Sequence, residues 1–430
     1  GFGGNNNNAV NGTQQNSALW GATQFVYDLR LNFTTSFTGK DLLYTRLRSG
    51  NFSGSSFSGN PYSLMALDRA YSSPTGGTAG NNSVGLDRLY YRFPIAKSNF
   101  TAAVGPQARN TEFLAIAPFY YDFDGLDFFR VHGAPGAYNK ATGGLFGLIW
   151  KQNVKKGKPF FAASTSYVAT AANIANTGTG TTATTGGIFG NNSNGSWLTQ
   201  IGYQAQQWKG TFAWRYGQCG GTANRRGTQA AVQSEACGNS WIGGTGTNPT
   251  SGNWTSQNYN NSFALGLAWQ PKKTGTLIPS ISTGWGYTAY AYSNTVFTTA
   301  GTNYGASSTT GIANQLSAAN IAATQSWTVA LQWKDAFTKG NDAGMSVGQP
   351  SFVTSLRNGQ TPQDGNYAWE WWYRFKVSDN ISVTPLLFYL SNPSSAGSAQ
   401  GAYAGVNGAS TSPNTGANVF GGLLTAQFKF

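Results

Sequence analysis

Arg46 and Arg48 stand two residues apart, and Arg88 and Arg92 four apart, spacings that put each pair on one face of an extended strand. Further on, Pro118–Lys140 reads PFYYDFDGLDFFRVHGAPGAYNK and mixes Asp122, Asp124, Asp127 and Arg130 with Phe119, Tyr120, Tyr121, Phe123, Phe128 and Phe129. A surface loop rarely needs so many rings together. A loop folded back against a wall does, because the rings pack on it. Carboxylates on such a loop facing guanidiniums on the wall set up a transverse field across a narrow gap. That chemistry sorts ions and breaks no bonds. A loop packed at a contact between subunits is the other reading of this segment. Catalysis is poorly supported: His132 is the single histidine, so a hydrolase triad would depend on it alone. No His/Cys metal cluster can be assembled and no cofactor is expected. Bound calcium at Asp122, Asp124 and Asp127 beside Gly125 is a weak candidate, since the twelve-residue loop pattern is absent.

The elements that must position these groups alternate with a period of two. Phe25, Tyr27, Leu29 and Leu31 oppose Gln24, Asp28, Arg30 and Asn32; Leu43, Thr45 and Leu47 oppose Tyr44, Arg46 and Arg48; Leu89, Tyr91 and Phe93 oppose Arg88, Tyr90 and Arg92. One parity is apolar and the other carries Arg30, Arg46, Arg48, Arg88, Arg92, Arg215, Arg374 and Lys376. Strands with one face in lipid and one in a watery lumen read this way, and a charge on the lipid face near mid-membrane costs about 2–4 kcal/mol. Further pairs follow: 143–151 with 159–168, 197–205 with 209–216, 262–269 with 277–287, 325–333 with 343–348, and 367–376 with 381–390. Short turns join each pair. Long stretches separate the pairs, and 169–196, 217–261, 291–324 and 391–418 are Gly-, Asn- and Thr-rich and expected at the surface. Short turns at one end and long loops at the other describe a transmembrane antiparallel β-barrel, here a single domain over residues 1–430.

Composition agrees. The 430 residues are 14% aromatic and only 10% charged, with 57 Gly, against about 25% charged in a soluble domain. No run approaches the 18 or more apolar residues of a membrane-spanning helix. A secreted β-sandwich or β-helix array is the alternative. The net charge is +13, but the basic residues are spread along strands rather than clustered, which argues against nucleic acid. Cys219 and Cys237 lie in one Gly-rich segment and could close a loop disulfide in an oxidising compartment; two unpaired thiols are the alternative.

The alternating runs number fifteen, whereas single-chain bacterial barrels have even numbers. About sixteen strands are therefore expected, with the missing upward strand preceding the first residues and Gly1–Asn8 a loop above it. The last run, Val419–Phe430, sets Phe420, Leu424, Ala426, Phe428 and Phe430 on one face and stops on an aromatic. That ending resembles the signal bacterial outer-membrane barrels present to their insertion machinery. Phe37–Phe52 (FTGKDLLYTRLRSGNF), Leu86–Phe93 (LDRLYYRF) and Gly348–Gly365 resemble cyanobacterial outer-membrane porins, the "iron uptake porin" group of the carbohydrate-selective porin superfamily. The resemblance covers nearly the whole chain. It implies a homotrimer in the outer membrane, in contact with its lipids, and a narrow channel for inorganic ions and very small solutes, restricted by an infolded loop. It also implies an S-layer-homology domain and a coiled coil ahead of the barrel that bind the cell wall; neither is in this sequence. Lumen arginines outnumber lumen carboxylates on this reading, so anions are expected to be favoured, with cations favoured instead if the loop acids line the narrowest section. A plugged barrel acting as adhesin or receptor is the competing function.

Overall fold

The computed structural model describes residues 2–5, 22–59, 62–72, 82–177, 184–190, 193–218, 222–232, 259–291, 321–356, 362, 364–393 and 418–429. Within them the chain is almost entirely antiparallel β-structure, and helix is limited to single turns. The strands are β1 (Phe2–Asn5), β2 (Asp28–Thr35), β3 (Leu42–Gly50), β4 (Gly85–Pro94), β5 (Phe100–Arg109), β6 (Thr142–Lys151), β7 (Phe160–Ala169), β8 (Asn176–Thr177), β9 (Thr184–Thr185), β10 (Gly195–Gln204), β11 (Trp208–Gln218), β12 (Tyr259–Trp269), β13 (Ser280–Ala291), β14 (Ile321–Lys334), β15 (Asp342–Leu356), β16 (Tyr367–Lys376), β17 (Ile381–Ser391) and β18 (Val419–Phe428). β8 and β9 pair only with each other. The other strands make one sixteen-stranded sheet that follows chain order from β2 to β18, with β1 added beyond β18. Short connections (such as 205–207 and 377–380) alternate with long ones, as the sequence pattern requires.

Three local expectations change. Phe2–Asn5 is a strand and not a loop: it pairs with Val419–Gly422 of β18, in the place assigned to a strand ahead of the chain. The first alternating run, read from Gln24 onward, enters the sheet only at Asp28, and Phe25 ahead of it is 98% exposed. β15 runs past Gly348, where the sequence pattern stopped, and β5 runs on through Gly105-Pro106 to Arg109. Gly105-Pro106 and Gly348-Gln349-Pro350 read as strand breakers, but both fall at register shifts, where a bulge absorbs a residue that cannot donate to the ladder.

The two faces of the sheet differ as their side chains dictate. Outward, Ile201, Leu265, Leu387 and Leu424 are exposed. Paired rings flank them: Trp208 with Trp269 and Phe161 with Tyr203 toward the short turns, Phe146 with Trp197 and Tyr216 with Tyr259 toward the long loops. Inward, the strands carry buried small or polar residues: Ala213, Ala264, Ala330 and Ala368, with Ser164, Gln200, Ser282, Gln332 and Glu370. The turns are tied locally. Between β2 and β3, the Asp41 carboxylate accepts from Ser36 Oγ and from the N–H groups of Phe37 and Thr38, while Tyr91 of β4 donates its O–H to the other oxygen.

Candidate functional site

The polar residues on the inner face are a template for the segment after β5. Residues 115–126 cross the sheet strand by strand. Ala115 N–H donates to Ser164 Oγ of β7 (3.0 Å) and Ile116 N–H to Gln200 Oε1 of β10 (3.1 Å). Lys209 of β11 donates to the carbonyls of Ala117 and Phe119. Tyr120 N–H reaches Ser282 Oγ of β13 (3.1 Å), Asp122 N–H reaches Gln332 Oε1 of β14 (2.8 Å), and Leu126 N–H reaches Glu370 Oε2 of β16 (2.9 Å). A chain leaving its ladder must find other partners for its buried polar groups; β7, β10, β13, β14 and β16 accept from its amides and β11 donates to its carbonyls. The return leg fits as closely: a Cβ at Gly284 would collide with the His132 carbonyl oxygen, and one at Gly286 would crowd Ala134.

Two further segments fold in beside it. Phe52, Phe57, Tyr62, Leu64, Met65 and Leu67, read from sequence only as part of a long loop, join Phe119, Tyr121, Phe123, Phe128, Phe129 and Tyr138 in one apolar core. That core rests on Leu198, Ala213, Ala264, Ala330, Trp372, Leu386 and Val419, so it touches walls from β10 to β18. Part of the stretch after β11, expected at the surface, is also buried: Ala223, Ala230 and Ala231 pack with Tyr290, Ile321 and Val353.

A buried ion cluster locks these segments together. Asp127, expected to line a pore, is fully buried and bound by Lys140, by Arg225 Nε (2.6 Å) and by Arg226 Nε (2.7 Å); Lys140 also pairs with Asp68. Burial alone would raise the Asp127 carboxyl, but the three cations outweigh it and hold it below the ordinary range. Asp68 is held well below its ordinary range in the same way, burial being outweighed by Lys140, Arg130 and Arg30. Asp127 therefore does not join Asp122 and Asp124 in a carboxylate cluster of the kind calcium needs.

The basic rows on the early strands also depart from expectation. Arg48 is buried and pairs with Asp28, which also takes Arg30 (3.2 Å). Arg88 is 1% exposed and binds Glu112 (2.8 Å) and Asp87 (3.0 Å). Arg46 bonds Asn32 (2.8 Å) and lies 3.5 Å from Asp87, while Arg92 donates to the Glu112 carbonyl (3.0 Å). Arg46, Arg48, Arg88 and Arg92 are thus answered by Asp28, Asp87 and Glu112, not by Asp122, Asp124 and Asp127. Arg215 is 1% exposed and holds Gly136, Ala223 and Asn260, so it does not line an open channel. Asp28 shares a parity with Arg30 and could have been found from the alternation. Asp87 sits beside a register shift between β3 and β4, and Arg225 and Arg226 stand in a Gly-rich stretch without period, so no pattern pointed to them.

Solvent-accessible charge gathers elsewhere. Asp122, Asp124 and Arg130 of the crossing segment, Arg69 of the preceding infolded segment, and Arg374 and Lys376 of β16 line a cavity of about 310 Å³ at the short-turn end, with Asp342 and Asp379. Arg69 pairs with Asp124; Arg130 bridges Asp122 (3.1 Å) and Asp124 (3.2 Å); Arg374 contacts Asp342 (3.3 Å) and the Asp122 carbonyl (3.1 Å). Arg374 of the wall meets the loop here through the Asp122 carbonyl, while its carboxylate partner Asp342 is on β15 and the loop acids pair with Arg69 and Arg130, so the expected ion pair of wall guanidinium and loop carboxylate is not formed among the described residues. Cys219 and Cys237 lie outside the described residues.

His132 gives the packed segments a pH dependence. It stands in a left-handed conformation (φ 56°) between the rings of Phe119 (4.9 Å) and Tyr138 (5.5 Å), and its buried Nδ1 has no hydrogen-bond partner among the described residues. Burial, reinforced by Arg130, Lys140 and Lys209, pushes the imidazole well below its ordinary range, with Asp68 opposing. The released segment would take up a proton below about pH 6.5 that the packed one refuses. Packing is therefore fully stable above that pH and weakens as pH falls toward the depressed value. Hydrogen exchange in residues 115–140, corrected for intrinsic rate, should be faster at pH 5 than at pH 7.5. His132→Asn tolerates the left-handed backbone and carries no titrating group, so it should flatten that difference; an unchanged difference would assign it to another group.

No family model matches the chain. It is 24% identical over 398 residues to the uncharacterized protein alr4550 of Nostoc sp., and 28% identical over 380 residues to the uncharacterized protein sll0772 of Synechocystis sp.. These alignments cover 89% and 86% of the chain and 60% of each relative, so the chain spans about 60% of the length of the curated relatives it matches. Among solved structures it is similar to OprB of Pseudomonas putida (TM-score 0.48, 11% identity, 94% of this chain and 88% of that one). It is likewise similar to an anion-selective porin from Comamonas acidovorans (TM-score 0.46, 11% identity, 94% and 89%). Likenesses of this strength leave the functional reading to the chain's own geometry.

Proposed function

We propose that the whole chain forms one β-barrel domain in a bacterial outer membrane and works as a diffusion porin for inorganic ions and very small solutes. The observation that carries the membrane reading is the outward face, an aliphatic band between two belts of rings on a sheet whose inner face is small and polar. Closure would join β1 to β2, the two edges of the sheet and consecutive in the chain. The infolded segments would then narrow the lumen. The proposed ion path leads through the short-turn cavity, past Arg69, Asp124, Arg130 and Arg374. A homotrimer is part of the proposal, with the exposed apolar residues of β2 (Leu29, Leu31, Phe33) at the contact; a monomeric mass in mild detergent would count against it.

One observation favours the competing reading of a plugged barrel that serves as adhesin or receptor. The apolar core is continuous across the inner face rather than confined to one wall. Planar-bilayer recording separates the two. Stepwise single-channel currents in potassium chloride are expected for the porin; a folded, inserted chain that carries no current would establish the plug.

A further inference from the structure

A second cavity lies at the opposite end of the sheet, where β6 begins, β7 ends, β10 begins and β11 ends. Its volume is about 130 Å³, and Lys140, Arg215, Arg225, Ser196, Thr142 and Asn139 are among the residues lining it. Unlike the short-turn cavity, it has no carboxylate in its lining.

We propose that this cavity binds a small inorganic oxyanion of the phosphate type. The argument begins with Arg215. Its guanidinium is 1% exposed, and its partners are neutral: the carbonyls of Gly136 (2.5 Å) and Ala223 (3.0 Å), Asn260 Oδ1 (2.5 Å) and Ser262 Oγ (3.2 Å). Among the described residues no carboxylate lies within ion-pair distance of it. A buried charge is ordinarily paired, because neutral acceptors do not cancel the cost of removing it from water. Lys140 and Arg225 do have acid partners, but Asp127 is shared among Lys140, Arg225 and Arg226. Of the cavity's cations, Lys140 and Arg225 share Asp127 with Arg226 and Lys140 also takes Asp68, while Arg215 has no anion among the described residues, which leaves a positive excess.

Ser196 supplies an independent sign. It is 3% exposed, lines the cavity, and its Oγ has no hydrogen-bond partner among the described residues. Buried hydroxyls are normally satisfied. An oxyanion in the cavity would accept from Ser196 and provide Arg215 with its counter-ion. The volume equals that of about four waters, enough for one such ion with partial hydration and too little for a sugar. Guanidiniums suit an oxyanion through their forked donors.

Binding itself is independent of the porin reading; only the placement of the site at the long-loop mouth of an ion path rests on it. The test is titration calorimetry of the detergent-solubilised chain with inorganic phosphate at low ionic strength, paired with bilayer recording in chloride with phosphate added on the long-loop side. One saturable phosphate site per chain is expected, with a matching saturable fall in chloride current. Ser196→Asp places a carboxylate in the cavity that Arg215 also lines and should weaken phosphate binding at least tenfold. Ser196→Ala removes one donor and should weaken it a few-fold, which keeps the test decisive if the Asp variant does not fold. A conducting channel that takes up no phosphate saturably, or variants that bind it as the parent does, would overturn the site. Saturable binding by a chain that carries no current would keep the site and overturn the porin.

Discussion

Asp127→Ala should release the infolded segments from the wall, raise single-channel conductance and expose residues 115–140 to exchange. Asp127 is the anion that Lys140, Arg225 and Arg226 share, and its side chain is fully buried. Removing one partner of a buried ion pair typically costs about 3–5 kcal/mol, because the remaining charge stays behind in a poor solvent. Here Arg225 and Arg226 would stay behind without their anion, and Lys140 would keep only Asp68. They come from the return leg of the crossing segment and from the stretch after β11, so both anchorages fail together. The sheet itself should persist, since its ladders do not use this cluster. Asp122→Ala is the contrast. That carboxylate is 74% exposed and, among the described residues, paired only with Arg130, and an exposed pair contributes at most about 1 kcal/mol. Equal conductance and equal exchange in the Asp127→Ala variant and the parent would show that the apolar core alone holds the segments.

The difference between these two aspartates was hidden in the sequence, and the reason is physical. Alternation fixes which face of a strand a side chain occupies, because a slip of one residue turns every side chain over. The hairpins were legible for that reason, and Tyr367–Lys376 has the bounds read from its pattern. Alternation also separates Leu29 and Leu31 from Arg30 on β2. It says nothing about what lies across the inner face. Asp122, Asp124 and Asp127 are equivalent as spaced acids, yet one is buried and two line an accessible cavity, because a single helical turn at Asp127–Arg130 redirects the chain between them. The ring-rich composition of 118–140 did announce infolding. Phe52, Phe57, Leu64 and Met65 carried the same message more faintly, diluted among Ser and Gly. Their burial depends on meeting Phe128 and Phe388, contacts far apart in sequence that no local pattern encodes.

Arg374→Ser and Arg69→Ser should move the reversal potential in a salt gradient toward cations, while Arg46→Ser with Arg48→Ser should change stability more than selectivity. Selectivity is decided by charges that mobile ions approach closely. Arg69 and Arg374 line the short-turn cavity with Asp122, Asp124 and Asp342, whereas Arg48 is buried against Asp28. In a water-like dielectric a unit charge at about 4 Å shifts a monovalent ion by about 1 kcal/mol, or about fivefold, with opposite sign for anion and cation. That sets the scale for each substitution, and a lower local dielectric enlarges it. Arg374→Ser also frees Asp342, its partner at 3.3 Å, which adds to the shift in the same direction. The unsubstituted cavity holds Arg69, Arg130, Arg374, Lys376 and Lys429 against Asp122, Asp124, Asp342 and Asp379. A weak anion preference at low salt is the expected starting point, eroding as the Debye length contracts from about 30 Å at 0.01 M to about 10 Å at 0.1 M. A large shift on replacing Arg46 and Arg48, with none at Arg374, would place the ion path along β2–β4 and move the selective section away from the short-turn cavity.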